Sequence, residues 1–366
     1  MKQDTLTAQY MTGKKKIHID FEHKLKEGKT IKIKNARKHN LKNITVEFPL
    51  GGFTIITGGS GAGKTTLLHH TLFAFLEDKA KFIQSHIRLK LLKQGMSRQE
   101  IISSPLMKRE LYEQLEKEGI QEFYKHIGVD DIVGFEQIEN VLYVDQASIG
   151  KTPRSCPATF VGVFDDIRKL YAGATEAKML GFDAGHFSFN SAKGACPECD
   201  GYGSKHIELQ FLPDTYVPCS LCRGHRYKPE ILSIKRHGKS IADILEMYVF
   251  DALDVFHDMN HLAEPLKLMC DIGLGYLRMG QSAHTLSGGE SQRIKLVKHL
   301  LKSYRGHTMY FLDEPTVGLH PSDIEKLLQV MKKFLDNGDS IIMIEHEKNL
   351  LKFADKVIHL EDGRVV

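Results

Sequence analysis

The sequence predicts an α/β fold built on a parallel sheet and interrupted by inserts. Three observations carry that prediction. Short runs rich in β-branched and aromatic residues at 30–34, 43–48 and 53–57 lead into a glycine-rich turn and a helix expected from Lys64. The last part of the chain alternates strand and helix through MYFLDEP, SIIMIEH and KVIHLED, as parallel strands joined by crossover helices do. Between these lies a stretch, 181–227, rich in Gly, Phe and Cys and poor in periodic pattern, which marks a separate small module.

Composition fits this reading and excludes others. The chain has 366 residues, which at roughly 150 residues per domain corresponds to about two domains. Hydrophobic residues make up 42% and charged residues 26%, with 31 Gly and 11 Pro, the balance of a globular chain rather than a disordered or collagenous one. No apolar run approaches the roughly eighteen residues that cross a bilayer, and the start, MKQDTLTAQYMTGKKK, lacks the apolar centre of a signal peptide. A cytoplasmic location with no membrane partner is therefore expected. The charge balance of 50 basic against 46 acidic residues leaves +4, too little to imply a nucleic-acid partner by itself. The basic stretches 14–16, 32–42 and 88–93 read as solvated faces.

In chain order, the first three strands and their glycine turn are followed by an inserted helical segment from 74 to about 138, where Ser97 and Glu100 have the spacing of a capping box. A strand returns at 141–144, then Asp145, Gln146 and the loop SIGKTPRS, then a helix over 158–171. Helices are expected again over 240–247, 263–270 and 288–302. The chain shows no internal repeat and no low-complexity tract. The expected division is a core made of 1–150 and 275–366, with 151–274 inserted between its two parts.

The chemistry begins at Gly58-Gly59-Ser60-Gly61-Ala62-Gly63-Lys64-Thr65, which fits G-x-x-x-x-G-K-[ST] between a strand and a helix. Glycines let backbone amides wrap phosphates at a positive helix terminus. Lys64 can reach the β and γ phosphates, and the Thr65 hydroxyl can hold Mg²⁺. The candidate ATP-binding set runs on through Thr66. A plain glycine-rich turn is the competing reading, and the agreement of strand, spacing and helix counts against it. Near the other end, the apolar run Met309 to Leu312 closes on Asp313 and Glu314, which puts carboxylates at the carboxyl edge of the sheet. Asp313 is expected in the Mg²⁺ shell. Glu314, one residue on and facing the opposite side of the strand, is the candidate to polarise an attacking water.

Leu286-Ser287-Gly288-Gly289-Glu290 forms a second helix start with anion-binding character, where a simple N-cap is the competing reading. At these residues the chain resembles the ATP-binding-cassette superfamily, in which the LSGG helix of one cassette caps the γ-phosphate held by another. The resemblance implies that Ser287, Gly288 and Gly289 act across a homodimer or toward a second cassette chain. It also implies that Gln146 senses Mg²⁺ and water, that His346 contacts the γ-phosphate, and that Gly318, Leu319 and His320 form a dimer-facing loop.

Cys196-x-x-Cys199 and, nineteen residues later, Cys219-x-x-Cys222 supply four thiolates at a spacing suited to tetrahedral Zn²⁺. A redox dithiol is the alternative, and two matched pairs argue against it. Gly201, Gly203 and Gly224 let the turns bend their amides toward the sulfurs. Cys156 and Cys270 read as ordinary core or loop residues. Lys193, Lys205, Arg223 and Arg226 are candidate contacts to a duplex backbone.

The CxxCxGxG pattern also occurs in DnaJ-type chaperones, so position matters more than the motif. A zinc module between the Gln146 loop and LSGG, preceded by VDQASIGKTPRS, PAT and FSFN and followed by FLPDTYVPC, resembles the second half of the UvrA family, the ATP-binding component of the ABC excinuclease, from about residue 31 onward. GLGYLRMGQ and LDEPTVGLH carry the same resemblance. It implies an ATPase that couples dimer closure to binding of damaged double-stranded DNA in nucleotide excision repair. A related ATPase of drug resistance or self-protection, acting on drug–DNA complexes, and a non-hydrolytic DNA-binding or regulatory half are the alternatives. Members of that family carry two cassettes and a domain that binds the second excinuclease component, UvrB; this sequence offers one cassette and no recognisable counterpart of that domain.

Overall fold

The computed structural model describes residues 28–93, 109–150, 154–207, 215–302 and 304–366, with Thr152 and scattered positions before residue 28. The Ser97 and Glu100 capping box lies outside the described residues, as do Lys16, Lys151 and residues 211–214. The strands among the described residues are β1 (Thr30–Ala36), β2 (Ile44–Pro49), β3 (Phe53–Gly58), β4 (Asp131–Val133), β5 (Ile138–Val144), β6 (Ser204–Ile207), β7 (Thr215–Pro218), β8 (His307–Asp313), β9 (Ser340–Ile344), β10 (Lys356–Glu361) and β11 (Arg364–Val365). The chain divides into two compact units, one of residues 1–144, 304–317 and 328–366, the other of 145–303 and 318–327. The helix that follows LSGG, Gly288–Leu300, lies in the second unit; the division expected from sequence placed it with the core.

The first unit is built on a six-stranded sheet in the order β11-β10-β3-β9-β8-β5, parallel apart from the β10–β11 hairpin. Its central strands, FTIITG, HTMYFLD and SIIMI, are buried almost without a break and are mostly apolar, as strands covered on both faces are. A second, antiparallel sheet, β2-β1-β4, alternates inward and outward residues instead. Both of its lysines pair across the surface, Lys32 with Glu47 at 2.7 Å and Lys34 with Asp131 at 2.9 Å, so this part of the basic stretch is a solvated face.

From Lys64 the chain is helical, with wide turns over Thr66–Phe73, where the Thr71 hydroxyl donates to the Thr66 carbonyl at 2.9 Å. Wide turns of this kind are frequent at functional sites. The helix continues as Ala74–Lys93, and Arg109–Ile127 packs back on it through Ile83, Ile87 and Leu115. The helical insert stops at Ile127 rather than near 138. Gly128 turns left-handed at φ 71°, Val129 donates back to the Tyr124 carbonyl, and Ile132 then pairs with Ile33 of β1. Phe75 anchors the root of the hairpin, fully buried with its ring 5.9 Å from Tyr124 and 4.9 Å from Phe135. Truncating it to alanine would cost about 3–5 kcal/mol.

The second unit is mostly short helices. The helix expected over 158–171 is broken into Pro157–Val161 and Val163–Ala172, because Gly162 adopts φ 103° and ends the first segment. Ile241–Glu246 starts on a full capping box, Ser240 with Asp243. Strands β6 and β7 form the hairpin that joins the two cysteine pairs. Among the described residues no helix is long and apolar enough to cross a membrane.

Candidate functional site

Strand β3 ends at Gly58, and the loop that follows is shaped by close backbone approach. A side chain on Gly58, at φ 142°, would sit 2.0 Å from the Leu360 carbonyl oxygen, and one on Gly63, at φ 104°, would sit 2.8 Å from Leu41. Asn40 braces the loop from outside, donating to the Gly61 carbonyl at 2.6 Å. Gly59, Ser60, Gly61 and Thr65 are exposed on the rim, while Ala62, Thr66 and Lys64 are buried. The Lys64 ammonium donates to the carbonyls of Gly58 at 2.9 Å and Gly59 at 2.8 Å. Burial pulls its pKa below the ordinary lysine value, and the charges of Glu314 and Asp313 oppose that shift.

Those two acids lie at the end of β8. Asp313 is half-buried, and burial followed by the charge of Glu314 raises its carboxyl above the usual range. The Tyr143 hydroxyl donates to its Oδ2 at 3.4 Å. Glu314 corrects the sequence reading. It does not continue the strand on the opposite face, because β8 stops at Asp313 and Glu314 turns into the left-handed region at φ 47°. A non-glycine residue held there is locally strained, and such strain gathers at functional sites. The turn lets the Glu314 amide donate to the Ile344 carbonyl at 3.0 Å and sets its Oε1 3.3 Å from Nε2 of His346. Lys64, Asp313, Glu314 and His346 thus belong to one unit and come together at the carboxyl ends of β3, β8 and β9.

In the second unit, Ser287 caps Gly288–Leu300, accepting from the Glu290 amide at 3.2 Å, and Glu290 returns the bond to the Ser287 amide at 2.7 Å. Tyr276 donates a hydroxyl to the other oxygen of Glu290 at 2.6 Å. Gly288 packs against the side chain of Gln146, so the glutamine loop and the start of the LSGG helix meet there. Gly289 is the second residue of that helix.

The four cysteines Cys196, Cys199, Cys219 and Cys222 are buried, with all sulfurs within 4.8 Å of one another. Sγ of Cys196 lies 3.9 Å from that of Cys219, and Sγ of Cys199 lies 3.6 Å from that of Cys222. Four sulfurs about 2.3 Å from a tetrahedral zinc would stand about 3.8 Å apart, so the cluster has the dimensions of one zinc cage. The Gly203 amide points at Cys199, 3.2 Å from its sulfur. Sequence reasoning missed Glu198, between the first two cysteines. Its carboxylate accepts from the Leu221 amide at 2.8 Å, the Ser220 hydroxyl at 2.7 Å and Lys205 at 2.5 Å, and so ties one cysteine turn to the other.

The cations near this cluster are largely engaged within the unit. Lys193 pairs with Asp183 at 2.6 Å, Lys205 with Glu198, and Arg226 donates to the Gly280 carbonyl at 2.9 Å while its guanidinium lies 5.1 Å from the Phe189 ring centroid. Arg223 is exposed, at φ 52°. Cys156 is buried at the start of a helix and Cys270 is half-buried.

Residues 30–82 match a family model described as an AAA domain. UvrABC system protein A of Thermus thermophilus is 44% identical over 356 residues, which is 97% of this chain and 33% of that protein. The protein of the same name from Clostridium tetani is 42% identical over 358 residues, 98% of this chain and 34% of its own length. The crystal structure of UvrA2 from Deinococcus radiodurans matches 100% of this chain at 36% identity with a TM-score of 0.77, and 40% of that protein is covered. The chain spans about one third of the length of these curated relatives.

Proposed function

Because the chain belongs, along nearly its whole length, to the family of UvrABC system protein A, we propose that it is an ATP-hydrolysing cassette that couples nucleotide binding to binding of double-stranded DNA. The observation that carries this reading is the meeting of Glu314 and His346, 3.3 Å apart, in the unit that also holds the buried Lys64 and the half-buried Asp313. Amides of residues 58–66 and the Lys64 ammonium bind the phosphates of ATP. Thr65 and Asp313 hold Mg²⁺; bound there, the metal offsets charge on the phosphate oxygens.

Glu314 accepts the proton of the attacking water, and His346 orients Glu314 and contacts the terminal phosphate. Ser287, Gly288 and Gly289 act on nucleotide held by a second cassette, either another copy of this chain or a partner chain. Cys196, Cys199, Cys219 and Cys222 hold Zn²⁺, which fixes the two cysteine turns to each other. Damaged duplex is the partner this reading favours. Arg223 is the cation best placed for it, since Lys193, Lys205 and Arg226 have structural partners.

Specific ATPase activity measured against protein concentration tests the two-chain site. It should fall on dilution into the monomer range, and a rate that holds constant there overturns the shared site. Duplex binding with and without a bulky adduct at two salt concentrations tests the second half of the reading; no binding at either salt overturns it.

A further inference from the structure

Glu345 follows β9 directly, is only 2% exposed, and is unused by the chemistry above. Its carboxylate is engaged on both oxygens. Oε1 accepts from the backbone amides of His346 at 2.8 Å and Glu347 at 3.2 Å, and Oε2 accepts from the Thr316 hydroxyl at 2.6 Å. Thr316 is itself buried and stands two residues after Glu314. The backbone at this point is also fixed from both sides, since the Glu345 amide donates to the Ile56 carbonyl of β3 at 3.1 Å and the Glu314 amide donates to the Ile344 carbonyl of β9 at 3.0 Å.

We propose that Glu345 is a positioning residue that locks the turn carrying His346 to the turn carrying Glu314. Both turns leave parallel strands at the same level, Asp313 opposite Ile344, and beyond that point the sheet ladder no longer holds them in register. One side chain takes over the task. Three hydrogen bonds to a single buried carboxylate are stiffer than bonds to water, and charge-assisted bonds are about twice as strong as neutral ones. The geometry they protect is the 3.3 Å approach of His346 Nε2 to Glu314 Oε1, and displacement of catalytic groups by about 1 Å can cost on the order of a hundredfold in rate. Glu345 touches none of the reacting atoms; it acts through the two loops.

This inference rests on the ATPase reading, so its test carries a readout that does not need turnover. Thr316→Val removes the hydroxyl and leaves the carboxylate, whereas Thr316→Ser keeps the bond. The expected result for Thr316→Val is a kcat about tenfold lower with nucleotide affinity, read from a fluorescent ATP analogue, changed by less than about twofold, and with Thr316→Ser close to the parent. Backbone hydrogen exchange at His346 and Glu347 should quicken in Thr316→Val and again in Glu345→Ala, while Glu345→Gln, which still offers a carbonyl oxygen to the two amides, should stay slow. If Thr316→Val leaves exchange at 346 and 347 unchanged, the lock is refuted whether or not the protein hydrolyses ATP. If exchange quickens and kcat holds, Glu345 is a structural cap and the positioning role is refuted. Quickened exchange in a protein with no hydrolysis would support the tie and overturn the ATPase reading alone.

Discussion

The Lys295 ammonium donates to the carbonyl oxygen of Ala147 at 2.7 Å. It also reaches the Asp145 carbonyl at 3.2 Å and pairs with the Asp145 carboxylate, so a single side chain on the LSGG helix clamps the residues on either side of Gln146. Lys295→Met keeps most of the stem and removes the three bonds. Turnover should drop about tenfold, since each charge-assisted bond contributes about 1.5–3 kcal/mol locally, while ATP affinity stays near the parent value. A kcat equal to the parent's would mean the glutamine loop is held by other means.

Glu314→Gln removes the proton acceptor and keeps the shape of the side chain. Hydrolysis should fall by about 10²–10⁴, the usual contribution of a general base, and ATP binding should persist. Under ATP the variant should accumulate as a two-chain species on a sizing column. Steady-state hydrolysis at the parent rate would remove Glu314 from the chemistry.

For the cysteine cluster, the expected outcome is one zinc per folded chain by elemental analysis, lost in Cys199→Ser. Zinc binds the thiolate form, and burial pushes the Cys199 thiol up to about 12, so binding must displace protons. Affinity for zinc should therefore fall as pH falls and rise as pH rises, in competition titrations with a chelator. A pH-independent affinity would count against thiolate ligation.

Burial, followed by the charges of Lys302, Lys298 and Lys295, holds His299 down to about 4. Its folded-state pKa lies below the unfolded value near 6.5, so the unfolded chain binds the extra proton first. The stability this neutral histidine allows is complete above about pH 6.5 and is lost as pH falls toward about 4. His299→Gln should flatten that part of the melting-temperature profile relative to the parent. Parallel profiles for the two proteins would show that His299 is not the group responsible.

Many of the candidate site residues were legible because the motifs that carry them are local in sequence. The phosphate loop, the acids after β8 and the cysteine pairs are contiguous motifs, and the β-branched and aromatic run at 53–57 marked its strand correctly. Strand order was not legible. Nothing in the local pattern of SIIMI says that β9 lies between β3 and β8. The conformation of Glu314 was missed because a left-handed glutamate is disfavoured locally and is held by a bond to Ile344, thirty residues away in sequence. The break at Gly162 was passed over because the apolar pattern continues across it. Glu198, Lys295 and Glu345 escaped notice for one shared reason: each has an ordinary charged identity, and its partners, Leu221, Ala147 and Thr316, are defined only by the fold.

The position of β9 also has a consequence during translation. Both sheet neighbours of β3, namely β9 and β10, come from residues after 339, so the strand leading into the phosphate loop leaves the ribosome with no edge to pair with. At roughly 5–20 residues per second, it waits on the order of 15–60 s, while residues 145–303 are made and can fold first. The nascent chain therefore carries an unpaired FTIITG segment until β9 emerges, and chaperone occupancy on ribosome-bound intermediates should peak before residue 340 is exposed and decline once β9 can enter the sheet.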